Sequence, residues 1–152
     1  MPRLISGAST GVVPSCAARG MASRTNVSAA SSVFDSFTGW TVTDSNRLGL
    51  LTTGGYCLIP QGFGGRYQLT FFTNGLTTQN YNTAFVYYYN GSSYSLVIGD
   101  YAFNDYSNYT CGGTHILDMK PDDRVYFGID NRYGITASTD HYSRMSMQFL
   151  GH

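Results

Sequence analysis

Three histidines, His115, His141 and His152, are the side chains of this chain best suited to moving protons near neutral pH. No Gly-x-Ser-x-Gly segment supplies a nucleophile for them. His115 shares a strand face by parity with Leu117 and Met119, which predicts a core or interface histidine without a carboxylate partner. His141 falls in a loop and His152 is the last residue. Asp100 with Asn104 and Asp105, and Asp122, Asp123, Asp130 and Asn131, are the two loose groups of oxygen ligands. A hard cation needs six to eight such oxygens to converge, no EF-hand spacing occurs, and Asp122 and Asp123 read as turn formers. Cys16, Cys57 and Cys111 are odd in number and widely spaced, and no pair has Cys-x-x-Cys spacing. That pattern predicts neither a disulfide framework nor a zinc site, but free thiols packed as small hydrophobes. No catalytic residue, metal or cofactor is expected, and the chain reads as non-enzymatic.

Tyrosine is the other chemically distinctive residue. Tyr87, Tyr88, Tyr89, Tyr94, Tyr101, Tyr106 and Tyr109 crowd one central stretch. Tyr offers a large rigid contact area with a polar tip, which suits protein interfaces and sugar stacking. Period two places Tyr87 and Tyr89 with Phe85, predicted to face the core, and leaves Tyr88 on the other side. Tyr101, Tyr106 and Tyr109 are predicted on loops as surface contacts, for packing within an assembly ahead of a glycan.

The elements that must carry these residues are strands. The chain has 152 residues, enough for one sizeable core and too few for two comfortable domains. Nine Lys plus Arg balance nine Asp plus Glu with no charge run, so binding nucleic acid through phosphate neutralisation has no support. No apolar stretch approaches the roughly 20 residues that span a bilayer. The first sixteen residues resemble a lipoprotein leader ending at Cys16. Ser6, Gly7, Ser9, Thr10 and Gly11 interrupt the would-be apolar region, and no leader is expected.

Residues 1–31 are rich in Ser, Ala and Gly without a sustained period, the composition of an extended arm. Arg3, Leu4, Ile5, Val12, Val13 and Arg19 are its candidate contacts with a larger assembly, and residues 17–21 could add a first strand. From residue 32 to 152 the β signals become regular. In Arg66 to Asn74, Tyr67, Leu69 and Phe71 share one face while Gln68, Thr70 and Phe72 share the other. Asn90-Gly91 between two aromatic and aliphatic runs predicts a hairpin, with positive φ supplied by the Asn-Gly pair. No window sustains an amphipathic helix. Eight to ten strands with turns every 8 to 12 residues predict an all-β antiparallel jelly-roll sandwich.

Gly65-x-Tyr67-x-Leu69-x-Phe71, the Tyr89-Asn90-Gly91 hairpin, Leu117-x-Met119 ahead of Lys120-Pro-Asp-Asp-Arg-Val125, and the closing Ser143 to Leu150 strand appear in that order. This order resembles the tumour-necrosis-factor and complement globular-head superfamily over roughly residues 32 to 151. The resemblance implies a ten-stranded jelly roll packed as a homotrimer around an axis. By analogy, the axial face would carry Gln68, Thr70, Phe72, Thr114, Ile116, Ser146, Gln148 and Leu150. Asp122 stands where the superfamily has Gly, the last strand carries Met147 where a small residue is usual, and no collagen repeat precedes the head. With no leader and no paired cysteines, the chain is most similar to jelly rolls of tailed bacteriophages. It is therefore expected to be a capsid cement or decoration protein on the outer virion surface, made in the host cytoplasm. The expected partners are itself and the major capsid protein, without nucleic acid or membrane. A receptor-binding fibre tip that recognises a host glycan is the alternative, and a capsular depolymerase a more distant one.

Overall fold

The computed structural model describes residues 11–20, 34–36, 39–75, 81–103, 109–130 and 142–152. Ten strands follow one another with no helix among the described residues. They are β1 (Ser15–Gly20), β2 (Phe34–Ser36), β3 (Trp40–Arg47), β4 (Cys57–Leu58), β5 (Gly65–Gly75), β6 (Tyr81–Tyr89), β7 (Tyr94–Phe103), β8 (Tyr109–Met119), β9 (Arg124–Asp130) and β10 (Tyr142–Gly151). One sheet runs β3-β1-β10-β5-β8; the other runs β2-β9-β6-β7, with β4 also on β9. Every named pairing is antiparallel, and β10 lies between the first strand and the fifth, the crossed connectivity of a jelly roll.

Period two builds the core. Tyr67, Leu69 and Phe71 of β5 lie in register with Phe149, Met147 and Met145 of β10, and all but the half-buried Phe149 are fully or nearly fully enclosed. Cys16 and Ala18 of β1 extend this layer beside β10. Val86, Val125 and Phe127 face it from the second sheet, and Leu50, Leu51 and Ile59 fill its end from the segment between β3 and β5. Trp40 and Phe71 meet edge to face at 6.3 Å, Trp40 and Phe127 at 6.2 Å, and Phe71 and Phe127 at 5.5 Å. This triad ties one sheet to the other. Full burial of each such side chain is worth about 1.5–3 kcal/mol.

Several sequence expectations give way to the structure. The arm predicted for residues 1–31 is interrupted by β1, which pairs with β10 on one side and β3 on the other. Pro14 is fully buried, and its carbonyl accepts the Phe149 N–H at 3.0 Å. The small residues that made this stretch look unstructured are what fit it into the sheet. Arg19 consequently belongs to a strand; Arg3, Leu4 and Ile5 lie outside the described residues.

The faces of β6 are opposite to those predicted. Val86 and Tyr88 pair with Phe127 and Val125 and pack on the core, whereas Phe85, Tyr87 and Tyr89 occupy the other side, across from Gly128, Tyr126 and Arg124. Alternation fixes which residues share a face but not which face is inside, and the half-buried Tyr88 turns inward with a carboxylate partner for its hydroxyl. Tyr88 donates to Asp123 Oδ2 at 2.6 Å.

His115 is exposed on the edge strand β8 and does not enter the core beside Leu117 and Met119. In the Asn90-Gly91 hairpin only Gly91 has positive φ (91°). Asn90 works through its side chain, accepting the Ser92 and Ser93 N–H groups at 3.0 and 2.9 Å.

Candidate interface on the first sheet

The outward face of the first sheet gathers the eight residues predicted for the axis. Register aligns Ser146, Thr70 and Thr114 across β10, β5 and β8, with Gln148, Gln68 and Ile116 as the adjacent row. Phe72 lies on the next row, between Arg144 and Gly112. Leu150 sits where the β5–β10 register shifts, between Phe149 and Gly151. Opposite-face alternation leaves these side chains out of the core, and Phe72 (39% exposed), Ile116 (53%) and Leu150 (45%) present apolar surface to solvent. Val42 on β3 is also exposed, but it pairs with the buried Ala18 and so does not belong to this outward face.

The polar part of the face is partly self-satisfied. Thr70 and Thr114 hydroxyls, directly opposite each other, hydrogen-bond at 2.9 Å. Arg66 and Asp118 approach at 3.6 Å at the β5–β8 edge, both largely exposed, so the pair contributes little. Arg19 and Arg144, opposite each other on β1 and β10, line a shallow hollow with Thr43, Thr70, Phe72 and Ser146. A directly opposed like-charged pair is unfavourable on an isolated sheet. Sequence reasoning placed Arg19 in the arm and did not single out Arg144. Their signal was the alternation of β1 and β10, which becomes readable only once β1 is known to be a strand.

Two close approaches hold this face in place. Gly112 has φ of 140°, and a Cβ there would collide with the Phe71 carbonyl oxygen and lie 2.8 Å from the Phe72 Cα. Only glycine lets β8 come this near to β5 beside Phe72. The turn leading out of β8 is fastened by Asp123, whose Oδ2 accepts the Lys120 N–H at 2.7 Å as well as the Tyr88 hydroxyl. Asp122, at the position where glycine was expected by analogy, takes φ of 70° and accepts from Gln61 Nε2 at 2.8 Å. Asp is one of the few residues that tolerate this left-handed conformation.

The remaining candidates separate. Val12 and Val13 are exposed immediately ahead of buried Pro14. Tyr101 lies within β7 and Tyr109 opens β8, so they are strand residues, not loop residues; Tyr106 lies outside the described residues. Cys16, Cys57 and Cys111 are buried and form no disulfide, with Cys16 Sγ 3.6 Å from Cys57 Sγ across the sandwich. Burial, reinforced by the Cys16 contact, pushes the Cys57 thiol well above its usual 9.0. Among the described residues no three His, Cys, Asp or Glu side chains are grouped to hold a metal ion, and no helix is long and apolar enough to cross a membrane.

No protein-family model matches the chain, and no curated protein matches it by sequence. Solved structures do match. The globular domain of zebrafish complement 1qA superposes with a TM-score of 0.58 at 13% identity, covering 90% of this chain and 98% of that one. Eiger TNF from S. frugiperda gives 0.64 at 13% identity over 93% and 94%. PRD1 vertex protein P5 gives 0.59 at 16% identity over 93% and 99%. The chain therefore has the jelly-roll fold of tumour-necrosis-factor and complement heads, shared with a phage vertex protein.

Proposed function

We propose that this jelly-roll head is a non-enzymatic structural protein of a virion that assembles as a homotrimer through the outward face of the β3-β1-β10-β5-β8 sheet. The observation that carries this reading is the set of exposed apolar side chains, Phe72, Ile116 and Leu150, spread over a sheet face whose strand alternation already commits the opposite face to the core. A second copy offers them burial. The polar residues between them, Gln68, Gln148, Ser146 and the bonded Thr70–Thr114 pair, would need partners across the axis, because an unpaired buried amide or hydroxyl costs on the order of 1–3 kcal/mol. The structural likeness to a phage vertex protein over nearly the whole chain supports placing such a trimer on a virion.

In its finer form, the trimer acts as a cement protein that binds the major capsid protein on the outer capsid surface. Residues ahead of Pro14 would reach out from the β10 end of the sheet, with Val12 and Val13 as their exposed base. Three arms held on one head turn several weak contacts into one stable attachment. A second reading, a receptor-binding tip, is favoured by the vertex protein's likeness, since vertices are few on an icosahedral shell. Counting copies in purified particles separates them. A cement protein is present in hundreds of copies and loses capsid binding without its first thirteen residues. A handful of copies overturns the cement reading.

A further inference from the structure

The second sheet carries a feature that neither the core nor the proposed interface uses. On its outward face, four tyrosines and one arginine touch in a closed circuit. Tyr56 and Tyr126 ring centroids are 5.3 Å apart, Tyr126 and Tyr94 5.9 Å, and Tyr94 and Tyr89 4.6 Å. Arg124 closes it, its Cζ 5.4 Å from the Tyr56 ring and 5.9 Å from the Tyr89 ring. The register explains the assembly: Tyr89 stands opposite both Arg124 and Tyr94, because β6 lies between β9 and β7.

Arg124 is held but not neutralised. Its Nε is buried without a hydrogen-bond partner, and no carboxylate acts on it among the described residues, only Tyr126, Tyr56 and Tyr89. The neighbouring Asp123 is buried on the side of Tyr88, away from the platform, where it accepts from the Tyr88 hydroxyl and the Lys120 N–H. The guanidinium lies over the Tyr56 and Tyr89 rings and hydrogen-bonds Tyr126, which leaves its remaining Nη donors for an incoming acceptor. Beside it the Tyr94 side of the platform is open: Tyr94 is 61% exposed and Leu96 50%. Asn90, Gly91, Ser92 and Ser93 form an exposed, uncharged rim from the hairpin.

We propose that Tyr56, Tyr89, Tyr94, Tyr126 and Arg124 form a binding site for an acidic saccharide, a sugar bearing a uronate or sialate carboxylate. The exposed Tyr94 ring offers a face for the apolar C–H side of a pyranose. Arg124 offers the planar pair of donors that a carboxylate accepts bidentately. The hydroxyl-rich rim suits a polyhydroxylated ligand better than an acidic peptide, which would call for more than one cation. Arg124 is the single cation of the platform, so one carboxylate per site is the match. The platform lies on the sheet opposite the proposed trimer face, so this site and the oligomeric reading stand or fall separately. In a trimer, three such sites would raise the avidity of a weak single-site contact.

The test is saturation-transfer NMR on the full chain with 3′-sialyllactose and trigalacturonate, with lactose and an Asp/Glu-rich hexapeptide as comparisons. At least one acidic saccharide at millimolar concentration is expected to receive saturation, with lactose much weaker. Arg124→Gln is expected to weaken binding by at least about tenfold, as the loss of a charge-assisted pair requires. Tyr94→Ala should abolish transfer to the sugar-ring protons, and rising salt should weaken the complex. Arg124→Lys, which keeps the charge without the fork, checks that a loss is not one of folding: it should bind between wild type and Arg124→Gln. No transfer to either acidic saccharide overturns the proposal. So does transfer that persists unchanged in Arg124→Gln, or binding of the peptide at this site in place of the saccharides.

Discussion

Truncating Ile116 to alanine tests the proposed interface quantitatively. Ile116→Ala removes three carbons, each worth about 0.8 kcal/mol when fully buried. In the isolated protomer Ile116 is 53% exposed, so roughly half of that burial remains to be gained on association, about 1.3 kcal/mol per copy. Three copies lose about 4 kcal/mol, roughly a 700-fold change in the trimer dissociation constant. Because that constant scales with the square of the free protomer concentration at the midpoint, the midpoint itself should rise about 25-fold. Light scattering over a dilution series reads it directly. Leu96→Ala is the matched control: Leu96 is 50% exposed but lies on β7 of the other sheet. It should leave the midpoint where it is, and both variants should lose a similar protomer stability, about 1 kcal/mol each, because about half of each side chain is already buried. Equal shifts in the two variants, or a shift in Leu96→Ala alone, would refute the assignment of the interface to the first sheet.

Gly112→Ala should destabilise the fold by about 3 kcal/mol or more, because it combines a left-sided φ with a Cβ driven into the β5 backbone; thermal unfolding measures it, and a change in Tm of a degree or two would contradict the geometry. Burial pushes the Tyr67 and Tyr88 phenols from 10.0 to about 12, Tyr88 with help from Asp123. The folded chain thus holds these protons more tightly than the unfolded one, so the associated stabilisation is complete below about pH 10 and is lost as pH rises towards 12. Urea midpoints across that range should fall, and less steeply in Tyr67→Phe and Tyr88→Phe. The three thiols are buried and outside any disulfide, so a thiol reagent should titrate none of them quickly in the native protein and all three in denaturant; a native disulfide between Cys16 and Cys57 would appear as one reactive thiol after unfolding.

The jelly roll was legible because its strongest signals are local. Tyr67-x-Leu69-x-Phe71 and Met145-x-Met147 alternate over long strands, and the Lys120 to Arg124 turn is marked by Pro and Asp. The outward face followed from the same alternation, since fixing Leu69 and Phe71 inside fixes Thr70 and Phe72 outside; its placement at an axis came from the resemblance alone. What stayed hidden depended on contacts distant in sequence. Ser15 to Gly20 offers only small residues and at most a short first strand over 17–21 until β10 and β3 are seen on either side of it. The three consecutive tyrosines of β6 alternate either way, and Asp123, 35 residues from Tyr88, decides that Tyr88 turns inward. Tyr56, Tyr89, Tyr94, Tyr126 and Arg124 come from three segments of the chain, so their platform has no signature in any one of them.

The mass of the protein in solution tests the central claim most directly. Light scattering or native mass spectrometry of the full chain should report three copies of the 16.6 kDa protomer, about 50 kDa, with the trimer weakened by Ile116→Ala. A protein that stays a 16.6 kDa monomer at the highest soluble concentration, or forms a dimer indifferent to Phe72, Ile116 and Leu150, would contradict a trimer built on the first sheet.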